Sequence, residues 1–195
     1  MAKASSQQSK KNLNDEIEEA ASPGICLLYG EVNSEVAQGI SEWILSENLS
    51  ENPPEVLTLM INSPGGDLAA AFAIIEIMNG SRIPVRTIVL GEACSAGLLI
   101  SMSGFKGMRY VTPTCSIMSH HFSGGASGNY HELMNIAKEY KFTDQRIIDQ
   151  YKRCTGLDED KIRERLIPNK DVYLSPTEAL ELNLFDEIRG IGLSK

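Results

Sequence analysis

Short runs of apolar residues alternate with longer amphipathic segments along most of the chain. Short apolar runs between turn residues predict buried strands, and apolar residues spaced three and four apart predict helices. Strands are predicted at 26–29, 56–61, 85–90, 109–111, 115–119 and 185–188. Helices are predicted at 34–49, 68–78, 98–102, 129–153, 158–166 and 176–181. This alternation predicts an α/β fold with mostly parallel pairing in at least one sheet.

The domain organisation follows from where this pattern begins. Residues 1–23 are polar and charged and lack apolar periodicity, which predicts a flexible N-terminal arm. The remaining residues, 24–195, are expected to form one domain, because a chain of 195 residues is close to the usual size of a single domain.

Charge and hydrophobicity limit the classes of partner. The chain has 18 Lys and Arg against 26 Asp and Glu, for a net charge of −8, so we expect no nucleic-acid partner. The apolar runs are much shorter than the roughly 20 residues of a membrane span, and no apolar stretch follows the first lysines as it would in a signal peptide. We therefore expect no membrane partner and a cytoplasmic location.

The cysteines and the missing motifs argue against bound groups. The four cysteines show no C-x-x-C spacing, so neither disulfides nor a zinc site is expected. The chain also lacks the H-E-x-x-H motif of zinc peptidases and the G-x-x-x-x-G-K-[ST] motif that binds nucleotide phosphates. We therefore expect no metal and no cofactor, and no ATP hydrolysis by this chain itself.

Two predicted turns between a strand and a helix carry small and polar residues. One contains Gly65 and Gly66, and the other contains Ser95 and Ala96. Backbone N–H groups at the start of a helix can stabilise an oxyanion that forms during acyl transfer. A serine at this place could be a nucleophile, or it could simply cap the helix. The turn chemistry by itself leaves both interpretations open.

A serine nucleophile requires a base and a group that orients this base. His120 and His121 end a predicted strand and point to opposite faces, so only one of them can face Ser95. His131 lies early in a polar helix and is expected to be solvated. Asp171 precedes an ordered segment and is one candidate for the carboxylate, although the chain has 26 acidic residues.

Four motifs in order resemble those of the ClpP family, the proteolytic subunits of Clp proteases. They read I-N-S-P-G-G at 61–66, G-E-A-C-S-A-G at 91–97, I-M-S-H-H followed by G-G at 117–125, and D-V-Y-L-S-P-T-E-A at 171–179. The family segments are I-N-S-P-G-G, G-Q-A-A-S-M-G, M-I-H-Q-P-x-G-G and D-R-F-L-S-A-x-E-A. The resemblance extends from about residue 24 to residue 188.

The resemblance implies a ClpP/crotonase-type fold of stacked βαβ units with a protruding handle. The handle, at about 122–153, would consist of a glycine-rich strand at 122–128 and the long helix after it. The implied activity is that of a serine endopeptidase that hydrolyses unfolded polypeptides. Two stacked seven-membered rings of this chain would enclose the chamber, and an AAA+ unfoldase would feed it.

The resemblance also assigns roles to individual residues. Ser95 falls on the nucleophile, His120 on the general base and Asp171 on the partner that orients this base. The backbone N–H groups of Gly66 and Ala96 would form the oxyanion hole.

Further glycines fall on the substrate-binding positions of the family, and some positions depart from its pattern. Gly65, Gly124 and Gly125 would bind substrate, the last two by pairing with it as an added β-strand. Ala96 stands where the family has methionine, which is expected to change the first specificity pocket. Lys170 stands in place of an arginine used between rings, and lysine lacks the planar fork that makes bidentate pairs.

Three other functions remain as alternatives. Thr58 and Met60 replace aromatic residues that dock the ATPase in the family, so a phage-type maturation protease without an ATPase is one alternative. A catalytically silent structural subunit of a mixed ring is the second. An acyl-CoA enzyme that shares the fold is the third.

Overall fold

The alternating elements of the sequence form one sheet with helices packed against it. The computed structural model describes residues 24–190, so the arm predicted at 1–23 lies outside the described residues. Strands in this part of the chain are β1 (Ile25–Tyr29), β2 (Leu57–Ser63), β3 (Val85–Cys94), β4 (Arg109–Val111), β5 (Ser116–Ser119), β6 (Val172–Leu174) and β7 (Glu187–Ile188). Helices are α1 (Ser34–Leu49), α2 (Leu68–Gly80), α3 (Ala96–Met102), α4 (Tyr130–Thr155), α5 (Glu159–Arg165) and α6 (Pro176–Glu181).

The sheet is parallel except at one pair of strands. Its main order is β1-β2-β3-β4-β7, and β5 also pairs with β3 beyond the end of β4. The short strand β6 pairs antiparallel with β5. The predicted α/β class with a mostly parallel sheet is confirmed. Within residues 24–190, no helix combines the length and apolar character that crossing a bilayer requires.

Local sequence signals account for most helix ends. The Asp67 side chain accepts a hydrogen bond from Ala70 N at 2.7 Å and caps α2. Capping boxes begin both α4, at Asn129, and α6, at Ser175. Gly156, with φ of 75°, ends α4 in the left-handed conformation that glycine adopts without strain. These caps satisfy the unpaired backbone groups at helix ends.

The long helix α4 has two halves in different surroundings. Its C-terminal half is buried through Ile147, Ile148 and Tyr151, and it packs against α3 and α5. Its N-terminal half exposes apolar side chains, including Tyr130 and Met134. One half of the helix therefore belongs to the core, and the other presents apolar surface to its surroundings.

The strand predicted at 122–128 is not formed among the described residues, because this segment has no ladder partner. A backbone segment becomes a strand only when a neighbour accepts and donates its hydrogen bonds. One side-chain contact fixes it locally, since the Tyr140 hydroxyl donates to Gly125 O at 2.9 Å. The glycine-rich segment is therefore open for pairing.

Two strands differ from the predicted pattern at the end of the sheet that carries the Gly65 and Ser95 turns. β3 extends to Cys94, four residues beyond the prediction, because a shift in register after Ile61 lets Ser63 pair with Ala93. The Asn62 side chain fills this irregularity and accepts a hydrogen bond from Glu92 N at 3.0 Å. β6 was not predicted, since three residues are too few to show periodicity.

A buried ion pair joins two parts of the chain that are distant in sequence. Arg109 is almost fully buried, and its Nε and Nη2 donate to the two carboxylate oxygens of Asp186 at 2.9 and 2.6 Å. Burial raises the pKa of the Asp186 carboxyl, but the hydrogen bonds from Arg109 and from the Gly107 backbone outweigh it, so the pKa lies below its usual value. The charged carboxylate therefore stabilises the fold.

We predict that Asp186→Asn lowers the free energy of unfolding by about 3 kcal/mol, because the buried Arg109 charge loses its partner. Urea unfolding at neutral pH measures this loss. Glu139→Gln, which breaks the exposed pair with Arg146, is the matched control and should cost no more than about 0.5 kcal/mol.

The pH dependence gives a second measure of the same pair. The pKa of Asp186 is lowered in the folded state. Its contribution to the free energy of unfolding is therefore complete above the unfolded aspartate pKa of about 3.9. It is lost as the pH falls through the lower folded pKa. The stability gap between wild type and Asp186→Asn should therefore narrow in acid, and a gap independent of pH would contradict the prediction.

Candidate active site

Three side chains from separate turns meet at one edge of the sheet. Ser95 follows β3, His120 follows β5 and Asp171 precedes β6. His120 Nε2 lies 2.8 Å from Ser95 Oγ, which is a hydrogen bond. His120 Nδ1 lies 3.5 Å from Asp171 Oδ1, beyond hydrogen-bond length but within ion-pair range. The three residues predicted from the sequence are thus neighbours in the order serine, imidazole, carboxylate.

Strand register explains why these residues meet. In the antiparallel ladder of β5 and β6, Ser119 pairs with Val172, so His120 and Asp171 are the next residues facing each other across the ladder. On the other side of β5, Ser95 N donates to Met118 O at 2.9 Å. The strand β5 therefore fixes both neighbours of His120.

Ser95 has an unusual backbone conformation. Its φ of 53° is rare for a residue with a side chain, and a residue held in such a region costs about 1 to 3 kcal/mol. Although Ser95 stands at the N-cap position of α3, its side chain makes no capping hydrogen bond. Its hydroxyl instead contacts His120. Of the two interpretations of this serine, the geometry therefore disfavours the simple cap.

The glycine turn after β2 packs directly against the Ser95 turn. A Cβ atom at Gly65 would lie 2.7 Å from Cys94 O, 2.8 Å from Ser95 Cβ and 3.1 Å from Ala96 N. The next residue, Gly66, forms an isolated parallel β-bridge with Val32. Within residues 24–190, no acceptor is found for the backbone N–H of either Gly66 or Ala96. These two backbone N–H groups are therefore free to donate hydrogen bonds beside Ser95.

A narrow crevice opens beside Ser95 and His120. Apolar side chains from four parts of the chain form its walls. They are Leu68, Leu99, Phe122, Ile147 and Tyr151. The sequence does not predict this crevice. Four of its wall residues occupy ordinary core positions of helices and Phe122 lies in an irregular segment, so only the tertiary structure brings them together.

The other two histidines have different neighbours. His121 Nδ1 lies 3.9 Å from Asp144 Oδ1 on α4. His131 is exposed in the first turns of α4. Of the two adjacent histidines, His120 contacts Ser95 and His121 faces Asp144.

The thiol beside the serine is a poor nucleophile. Burial, together with the nearby Glu92 carboxylate, raises the pKa of Cys94 to about 11. At neutral pH this thiol is protonated, and the thiolate is the reactive form. Within residues 24–190, no group of three or more His, Cys, Asp or Glu side chains is arranged to hold a metal ion.

Gly124 and Gly125 lie in the open segment after His120. Both are exposed, and a Cβ at Gly124 would lie 2.6 Å from the Tyr140 hydroxyl. Phe122 packs edge-on against the Tyr140 ring, with centroids 5.5 Å apart. The segment thus runs beside the crevice and is fixed at one end by α4.

The family model of the Clp proteases matches residues 7–191 of the chain. The chain belongs to the Clp protease family. This membership supports a ClpP-like serine protease and confirms the resemblance that the four motifs indicated. The matched residues include the whole of the sheet and the helix α4.

We predict that Gly65→Ala lowers the free energy of unfolding by about 3 kcal/mol, in the upper part of the usual range for single substitutions. The added methyl would collide with the Ser95 turn, and φ at Gly65 is 100°. Gly30→Ala is the matched control, since φ there is 86° but the space around it is empty, and strain alone costs about 1 kcal/mol. Equal losses in urea unfolding would show that the two turns are not in tight contact.

Proposed function

We propose that the chain is a serine endopeptidase that cleaves unfolded polypeptides through an acyl-enzyme intermediate. The observation that carries this proposal is the 2.8 Å contact between Ser95 Oγ and His120 Nε2, made by a serine whose hydroxyl does not cap its helix. Membership in the Clp protease family supports the same class of reaction.

In the proposed mechanism, His120 accepts the proton of Ser95 as Oγ attacks the peptide carbonyl carbon. Asp171, 3.5 Å from Nδ1, orients the ring and stabilises the imidazolium. The tetrahedral oxyanion accepts hydrogen bonds from the backbone N–H groups of Gly66 and Ala96.

Breakdown of this intermediate completes the reaction in two stages. The C–N bond breaks as His120 returns its proton to the leaving amine, which leaves an ester on Ser95. Water then attacks the ester with His120 again as base, and a new carboxylic acid leaves as Ser95 recovers its proton.

Substrate binding is proposed to use main-chain contacts. The open segment at Gly124 and Gly125 can pair with an extended polypeptide as an added strand, which tolerates many side-chain sequences. Although Gly125 O already accepts from Tyr140, a carbonyl oxygen has a second lone pair. Gly65 would contact the substrate on the side of the Ser95 turn.

Exposed apolar surfaces support an assembly of many copies. One lies on the N-terminal half of α4, where Tyr130, Leu133, Met134 and Phe142 are exposed. A second lies on the edge strand β1 and on α1, where Leu27, Tyr29 and Leu49 are exposed. Apolar patches and unpaired strand edges of this kind are usually covered by a partner.

We propose that the first surface, as part of a handle at about 122–153, joins two seven-membered rings, and that the second lies within a ring or beneath an AAA+ unfoldase. Because the sequence has no phosphate-binding motif for ATP, any unfolding of substrates would depend on such a partner.

A fluorogenic dipeptide and a fluorophosphonate probe test the activity. We predict that the wild-type protein hydrolyses the peptide and that the probe labels Ser95. Ser95→Ala should lower turnover at least about 1,000-fold, since the whole triad acts as a unit.

The adjacent histidines provide the matched control. His120→Ala should abolish turnover, whereas His121→Ala should retain most of it, because His121 faces Asp144 instead of Ser95. Equal cleavage by wild type and Ser95→Ala, or labelling at another serine, would disprove the proposed nucleophile. An inactive, unlabelled wild type would favour the silent subunit.

The assembly has its own measurement. Two seven-membered rings of a 21.4 kDa chain would have a mass of about 300 kDa and closed symmetry. Analytical ultracentrifugation of the full chain should show this species. A stable monomer at micromolar concentration would contradict the proposed chamber.

A further inference from the structure

Two buried hydroxyl groups meet beneath the candidate active site. Tyr151 Oη on α4 lies 2.7 Å from Ser119 Oγ at the end of β5. Ser119 is fully buried and Tyr151 is 2% exposed. Tyr151 also lines the crevice that contains Ser95 and His120. The contact therefore connects the long helix with the residue next to the proposed base.

Ser119 is the last residue of β5 that pairs with a neighbouring strand. The ladder between β3 and β5 ends at Met118, and the ladder between β5 and β6 ends at Ser119. His120 follows without a ladder hydrogen bond to either neighbouring strand. Its direction thus depends on how firmly the residue before it is fixed.

The contact is specific to a pair of hydroxyl groups. Hydroxyls lose hydration when they are buried, and this loss is costly unless they bond to each other. Burial raises the pKa of Tyr151 to about 12, so its hydroxyl keeps its proton throughout the neutral range. An apolar residue at either position could fill the space, but it could not fix the direction of the partner.

Resting on the proposed function, we propose that Ser119 and Tyr151 are positioning residues, which hold the end of β5 so that His120 Nε2 points at Ser95 Oγ. Because the two buried hydroxyls bond to each other, we do not expect either of them to contact the substrate. Their loss should therefore affect the chemical step and not substrate binding.

The test measures kcat and KM for a fluorogenic dipeptide and the rate at which a fluorophosphonate labels Ser95. For Tyr151→Phe we expect kcat and the labelling rate to fall about ten-fold or more, since small misalignments of reacting groups are costly, with KM within about two-fold. Tyr110→Phe is the matched control. Its hydroxyl lies near Gly107 O, outside the crevice, and its removal should change neither rate.

The double variant Ser119→Ala with Tyr151→Phe separates positioning from stability. It leaves no unpaired buried hydroxyl, so the unfolding midpoint should recover relative to either single variant. We expect kcat to remain low, because nothing replaces the lost contact. If kcat recovers together with stability, the pair is merely structural and the proposal is wrong.

Other outcomes are also decisive. Wild-type kcat and labelling rate in Tyr151→Phe would overturn this proposal and leave the proposed peptidase intact. Wild-type protein that neither cleaves the peptide nor labels at Ser95 would overturn both. If Tyr151→Phe does not reach the wild-type mass in ultracentrifugation, kcat, KM and the labelling rate are measured on Ser119→Ala instead. This variant removes the same hydrogen bond with a smaller change.

Discussion

The strained turn at Ser95 is the constraint on which the rest of the site depends. A serine with φ of 53° persists only where its surroundings hold it. Here the ladder of β3 leads into the turn, Met118 O binds its N–H, and Gly65 packs against it without a side chain. These contacts release the hydroxyl from capping α3 and direct it to His120.

The long helix α4 links this site to the proposed assembly. Its C-terminal half supplies Ile147 and Tyr151 to the crevice, whereas its N-terminal half exposes Tyr130 and Met134. A helix is rigid over such a length, so a partner that binds the exposed half also constrains the buried half. The hydrogen bond between Tyr151 and Ser119 is where this constraint would reach the proposed base.

Electrostatics distinguishes the proposed reactive groups from groups that stabilise the fold. Cys94 lies next to Ser95, but burial and Glu92 keep its thiol protonated. Arg109 and Asp186 are charged, yet they satisfy each other away from the crevice. The pair of Ser95 and His120 is thus the combination at this edge that fits the proposed reaction.

The sequence by itself determined the class of fold, most element boundaries and the residues of the proposed triad. Helix α1 and the N-cap at Asp67 match their predictions, because side-chain periodicity and capping are local properties. The family motifs also identified Ser95, His120 and Asp171. Periodicity alone could not show that these residues meet, because they are far apart in the chain.

Only the tertiary structure decided features that need a partner from elsewhere in the chain. The strand β6 exists because β5 pairs with it, and residues 122–128 form no strand because no described neighbour pairs with them. The crevice walls and the hydroxyl pair of Ser119 and Tyr151 likewise combine elements distant in sequence. Periodicity reports which face of an element is buried, but the register between elements determines which side chains meet.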